Sequence, residues 1–312
     1  MTGDDSPRGL ASLGAIAQRA ILPGCVTQRD DVALRELETV PLGLPAGLEI
    51  EWLGVAGYRL TYEGVSIFLD PYVSRASLWR LLLGRPALSD PALLDAYIRA
   101  PGPVAGVLIG HTHFDHAIDA PEIARRFGCP AYGSESLAHL MRLYGMDAVV
   151  VEPRRTYELG PFAVRCVPSR HAKLILGRRV PFDGELTCDH LHGLSPAKYK
   201  CGQVWAFRIE VAGIALYHQG SANLIDDALP REPVDVFLAG VAGRSYTPHY
   251  WRRILPALDP RVIVPSHYDD FFRPLSRGLR VGRGMKLAEV PEEIGAVSSS
   301  ATVAALRGPS RT

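Results

Sequence analysis

Three histidines and an aspartate stand within six residues, His111-Thr-His-Phe-Asp-His116, directly after the apolar run Val107-Leu-Ile-Gly110. Imidazole and carboxylate are the ligands that zinc and similar divalent metals prefer. The apolar run reads as a short buried strand that Gly110 ends, which places the cluster on a rigid support. From an extended segment, His111 and His113 point the same way. Asp115 and His116 lie past the bend, free to face a second metal. The competing reading is a histidine-rich surface loop without metal. Histidines at other strand ends weigh against it.

The 312 residues of the chain form one large domain or two small ones, with enough apolar sequence (47%) for a sizeable core. A formal charge of +1, with both signs interspersed, lacks the basic stripe of a nucleic-acid footprint, so no specific nucleic-acid partner is expected. The five cysteines, Cys25, Cys129, Cys166, Cys188 and Cys201, are widely spaced and include no Cys-x-x-Cys pair. A disulfide framework is not expected, and the reducing cytoplasm is the default location. No apolar run is long enough for a transmembrane segment. Ala20-Ile-Leu-Pro-Gly-Cys25 has the look of a lipoprotein cleavage box, but Gln18 and Arg19 break the apolar core that such a box needs.

Residues 1–46 read as an N-terminal extension: a polar start, helical periodicity over Leu10–Ile21, and a Pro41–Pro45 linker. From Leu48 short strands begin, with Glu63-Gly64 as a hairpin turn. Ser77–Arg99 reads as a Leu-rich helical insertion. Its Leu78–Leu83 stretch is a core helix, a lid over the site or a membrane contact. Further strands are expected at 104–109, 131–132, 149–151, 157–159, 162–167, 204–211, 214–218, 234–238 and 261–264. Helices are expected at 121–127, 135–144 and 250–258. Residues 174–200 have weak periodicity, and 276–312 read as a C-terminal tail. Strand-rich blocks separated by helices suit two packed sheets covered by helices.

His111-x-His-x-Asp-His116 resembles the signature of the metallo-β-lactamase superfamily. Leu53-Gly-Val-Ala-Gly-Tyr58 and Ile67-Phe-Leu-Asp-Pro71 resemble its opening strands. Ser169-Arg-His171 and Pro265-Ser-His267 resemble its later ligand loops. Within the superfamily the chain looks nearest the branch of ascorbate-6-phosphate lactonase and the N-acylphosphatidylethanolamine phospholipase D-like enzymes. The resemblance implies an α/β fold, the four-layer αβ/βα sandwich, over residues 47–275. It also implies one or two zinc ions (manganese or iron being alternatives), the first held by His111, His113 and His171, the second by Asp115, His116 and His267. Each set leaves a position open, as catalytic zinc sites do. A zinc-bound hydroxide acting on a phosphodiester, ester or lactone would then be the nucleophile, with Asp115 as second-metal ligand or base.

Ser221 stands where the family usually has a bridging aspartate. A neutral hydroxyl there lowers the ligand charge by one, and a catalytically weakened metal-binding or structural member of the fold is the alternative reading. Asp70 ends a strand and in the family supports the metal loop; a plain turn carboxylate is the other possibility. Asp119 has the same two readings, helix entry being favoured. Arg170 and Lys173, with the basic loop that follows, suit an anionic small-molecule substrate, phosphorylated or acyl-bearing; a solvated basic face is equally compatible. His190 and His192 are read as substrate-pocket residues, as is His218. Phe182, Tyr199 and Trp205 are candidates for pocket walls.

Overall fold

In the computed structural model residues 28–311 are described; the helical stretch expected at Leu10–Ile21, the Ala20–Cys25 box and Cys25 lie outside them. The first strands follow from alternation of apolar side chains. In Val65–Leu69, Ile67 and Leu69 face one side and Phe68 the other, and each side meets a different partner layer. That strand, β3, is the third in a six-stranded sheet. The sheet runs β1 (Glu49–Gly54), β2 (Gly57–Tyr62), β3, β4 (Val104–Leu108), β5 (Ala131–Gly133) and β6 (Val149–Val150), in that spatial order. Its first three strands pair antiparallel and the rest parallel.

The second sheet has seven strands: β7 (Thr156–Leu159), β8 (Phe162–Pro168), β9 (Trp205–Val211), β10 (Ile214–Gln219), β11 (Val236–Gly240), β12 (Val262–Ser266) and β13 (Thr302–Val303). Their spatial order is the reverse of the sequence order, β13 to β7. Pairing is antiparallel from β7 to β10 and parallel from β10 to β13.

Ile67, Leu69 and Leu108 of the first sheet pack with Val164, Phe207 and Leu216 of the second, which buries both inner faces. Phe68 and Val107 on the outer face of the first sheet meet helices. Of the described helices, α1 (Gln28–Leu37) precedes the strands, and α2 (Leu78–Leu82) and α3 (Pro91–Tyr97) replace the single expected insertion. Gly84-Arg-Pro86 separates these two, and Asp90 caps α3 by accepting from Ala92 N (3.0 Å). α4 (Phe114–Ala117) and α5 (Ala120–Phe127) follow the histidine cluster, and α6 (Glu135–Leu143) follows β5. α7 (Tyr250–Leu258) and α8 (Val290–Gly295) cover the outer face of the second sheet. The order helix, sheet, sheet, helix is the four-layer sandwich expected.

Leu78–Leu83 is divided rather than uniformly core. Leu81 is buried, while Trp79 and Leu83 are 70% and 62% exposed. The expected tail is part of the sandwich: β13 extends the second sheet and α8 packs on it. Residues before 47 join the same body, because Asp30 accepts from Ala288 N (2.9 Å) and Leu37 O from Ala305 N (2.9 Å). Among the described residues no helix is long and apolar enough to cross a membrane.

Candidate metal centre

Five chain segments reach one edge of the sandwich at the C-terminal ends of β3, β4, β8, β10 and β12, carrying Asp70, His111–His116, Ser169–His171, Gln219–Ser221 and His267. β3 and β4 are parallel, and β8, β10 and β12 run in one direction, so all five ends fall on the same side. Five of the thirteen described non-glycine residues with positive φ stand about this edge: Val55, Asp70, Arg75, Phe182 and His267, at 41–57°. Such positions cost on the order of 1–3 kcal/mol each and persist only where packing over-determines them.

The six expected metal ligands meet as two sets. In each of His111–His113–His171 and Asp115–His116–His267, one nitrogen or carboxylate oxygen per residue lies within 4.8 Å of the others. All six residues are buried. The donor geometry fits a cation. His113 Nε2 donates to Pro181 O (2.8 Å), which leaves Nδ1 with its lone pair 3.1 Å from His111 Nε2. His171 Nδ1 donates to Ala172 O (2.7 Å), which leaves its Nε2 as the ligand atom. A carbonyl can only accept, so both tautomers are set by the fold. His116 Nε2 is buried with no hydrogen bond among the described residues.

Electrostatics agree. Burial drives the His111 and His171 pKa values well below the usual imidazole range, and the neighbouring imidazoles add to the effect. Burial likewise brings His113 down to about 4. These rings are neutral at pH 7, the form that binds metal. For Asp115 burial raises the pKa, but His116, His267 and His113 together outweigh it and hold the carboxyl ionised. His116 is the exception. Burial lowers its pKa, yet Asp70 and Asp115 prevail and raise it.

Asp70 is wholly buried beneath the centre, not a plain turn carboxylate. Its Oδ1 accepts from Gly110 N (2.6 Å), and its Oδ2 lies 3.0 Å from His116 Nδ1 and accepts from His218 Nε2 (3.0 Å). A Cβ at Gly220 would fall 2.6 Å from that Oδ2, so glycine is what lets the end of β10 pass this close. Ser221 Oγ accepts from Ala172 N (3.0 Å), and Asn223 Nδ2 donates to His171 O (3.1 Å), so both brace the His171 loop. Asp119 stands at the entry of α5, as expected, but its side chain makes no capping hydrogen bond. It accepts from Val73 N (2.7 Å), Ser74 N (2.9 Å), the Ser74 hydroxyl and Ser89 Oγ (2.7 Å), and ties the 73–89 loop to α5.

A cavity of about 350 Å³ opens beside the centre. His113, Asp115, His171 and His267 line its inner end, and Phe182 is a wall as expected. The expected substrate residues are elsewhere. Arg170 and Lys173 are exposed and do not line the cavity, while His171 and Ala172 between them are buried. His190 and His192 are exposed on the turn Leu191–Gly193, and His190 Nδ1 is paired with Asp189 (2.6 Å). His218 is buried between the sheets, stacked on Phe207 and edge-on to Tyr58, and touches Asp70 rather than the cavity. Tyr199 donates its hydroxyl to Ala87 O (2.9 Å), and Trp205 is in the inter-sheet core.

The cavity's own cations are Arg273, Arg280 and Arg283, with Phe271, Phe272, Val281 and Met285 as apolar wall. No motif singles them out in the sequence, although Tyr268-Asp-Asp-Phe-Phe-Arg273 follows His267 directly and is dense in aromatic and charged residues. Nor does one single out Asp269. It forms a buried pair with Arg75 (2.8 Å) and accepts from Val55 N (2.9 Å), while Val55 O accepts from His267 N (2.7 Å).

The beta-lactamase superfamily domain family matches residues 49–267. A UPF0173 metal-dependent hydrolase of Thermococcus onnurineus is 28% identical over 233 residues, 71% of this chain and 85% of that protein. One from Polynucleobacter asymbioticus is 23% identical over 254 residues, 76% of this chain and 79% of that protein. Among solved structures, Igni18, a metallo hydrolase of the archaeon Ignicoccus hospitalis, superposes with a TM-score of 0.54 at 20% identity, covering 85% of this chain and 97% of that one. CmlA, a diiron β-hydroxylase of Streptomyces venezuelae, gives 0.52 at 15% identity over 97% of this chain and 63% of that one. At such identities these two likenesses speak for the fold alone. By the family match and the sandwich with its ligand-bearing edge, the chain belongs to the metallo-β-lactamase superfamily, as a metal-dependent hydrolase.

Proposed function

We propose that the centre hydrolyses a phosphodiester, ester or lactone with zinc as its metal, manganese and iron being chemically suited to the same donors. The observation that carries this is the convergence of six ligand atoms, in two sets, at the inner end of a cavity that Asp115 also lines. A metal held by these residues would supply Lewis acidity, acidifying water and neutralising charge that develops on the scissile group. The chain's residues do the rest. Pro181 O and Ala172 O hold the imidazoles of His113 and His171 in the ligating tautomer. Asp115, its Oδ2 3.2 Å from His267 Nε2, holds the second cation position or orients the attacking water and takes its proton.

Ser221 favours a second reading within the same fold, a weakened catalyst. Its hydroxyl is committed to Ala172 N and adds no charge to the centre. The test is metal titration against turnover of generic ester and phosphodiester reporters in two variants. Asp115→Asn should lose about 10²-fold or more in kcat while retaining one metal equivalent. Near-wild-type turnover in that variant would refute the assignment of Asp115. Ser221→Asp should leave turnover unchanged or lower; a large rise in both metal content and turnover would establish the weakened reading instead.

A further inference from the structure

Residues 268–285 form the far wall of the cavity, and this wall is a built structure. It folds back on itself through Asp270 N donating to Arg280 O (2.9 Å) and Gly282 N donating to Tyr268 O (2.6 Å). Asp269 and Val281 form an antiparallel bridge between the two arms. Its start is pinned by the Arg75–Asp269 pair, with Arg75 Nη1 also donating to Asp270 O (3.3 Å). Its end is pinned by buried Arg244, which donates to Met285 O (2.7 Å) and Lys286 O (2.9 Å). Arg244 is itself held by two bonds to Glu293 (2.7 and 3.0 Å), which also accepts from Trp251 Nε1 (2.8 Å).

Between these pins the wall presents two chemistries. Phe271 and Phe272 pack on each other (4.5 Å between centroids) and on Phe114 (6.1 and 6.0 Å), and Phe271 stands edge-on to His267 (5.9 Å). This aromatic surface begins at the metal centre. The same wall carries the arginines. Arg273 donates through Nε to Gly278 O (2.9 Å) and through Nη2 to Arg277 O (2.6 Å), which fixes its guanidinium. The guanidinium of Arg280, exposed at the cavity's edge, has no hydrogen bond or ion pair among the described residues. Of the carboxylates on this wall, Asp269 is neutralised by Arg75, and Asp270 accepts from Phe272 N (3.1 Å).

We propose that the site takes an amphiphilic anion: an aryl or acyl body lying on the Phe114–Phe271–Phe272 surface, and a terminal oxyanion, carboxylate or phosphate, read by Arg273 and Arg280. This deepens the hydrolase reading and rests on it, because the scissile bond then lies at the inner end, by Asp115 and His171. The cavity's size is within the roughly 300–1,000 Å³ of small-molecule pockets. Guanidinium suits either oxyanion through paired hydrogen bonds.

The test is calorimetric binding of three non-hydrolysable probes to the full chain as purified with its metal: 4-phenylbutyrate, 3-phenylpropylphosphonate and 4-phenylbutanol. At least one anion should bind about ten-fold or more tighter than the alcohol, the range expected of hydrogen bonds to a charged group; the tighter of the two identifies the oxyanion. Arg280→Ala should remove most of that preference and leave alcohol binding unchanged, and Phe272→Ala should weaken all three probes. Equal binding of anions and alcohol by the wild type overturns the proposal. So does a preference that survives Arg280→Ala together with Arg273→Ala, since the metal centre is then what reads the anion. Binding is independent of turnover, so a protein that shows the preference but hydrolyses no reporter refutes the hydrolase reading alone.

Discussion

His218 closes a buried chain of contacts in which its Nε2 donates to Asp70, and Asp70 in turn faces His116 Nδ1 and accepts from Gly110 N. One carboxylate thereby fixes both the imidazole of one metal set and the strand end that launches the other. Partners of this kind are worth about 10–100-fold in metal affinity. Asp70→Asn and His218→Leu should therefore weaken the Asp115–His116–His267 set by about that factor in competitive chelator titration, and leave the three-histidine set close to wild type. His218→Gln, which keeps a donor, should lose less than His218→Leu. Equal loss at both sets would show a general structural role instead. The ligands were legible from sequence because His111 to His116 is a local pattern whose spacing already carries the geometry. His218 was not, because its meaning depends on Asp70, 148 residues away on the opposite sheet.

Elements position the site by where they end. Strand ends were readable from alternation and from the glycine and histidine that follow them, and most expected strands fall within a residue or two of the observed ones. Ser77–Arg99 read as one insertion because leucine-rich helical periodicity continues across it, while Gly84 and Pro86 divide it in space. Residues 268–285 carry no periodicity at all. Their order comes from Arg75, Arg244 and one backbone bridge, contacts that no window of sequence contains. The buried Arg75–Asp269 pair gives this wall its anchor. Arg75→Ala leaves Asp269 buried and uncompensated, and should cost about 3–5 kcal/mol in chemical denaturation. Removing both charges in Arg75→Met with Asp269→Leu should recover part of that loss; a single-variant cost below about 1 kcal/mol would contradict a structural role for the pair.

At the scale of the whole molecule, the two sheets place residues from both halves of the chain on one edge. The first sheet brings Asp70 and the 111–116 cluster, the second brings His171, Ser221 and His267. Hydrophobic texture predicted two packed, helix-covered sheets but not which strands are neighbours, since inner-face side chains look alike in any order. The resemblance to a known superfamily supplied that topology. It also misplaced the end of the domain, because β13 and α8 lie past residue 276 and still complete the second sheet and its cover. On the proposed reading this edge holds metal and hydrolysis depends on it. Elemental analysis of protein purified without chelator checks both. We expect at least about one transition-metal equivalent per chain, as tight three-histidine sites bind, with hydrolysis of ester or phosphodiester reporters lost on chelation and restored by added zinc. Less than about half an equivalent of any transition metal, or turnover indifferent to chelation, would contradict it.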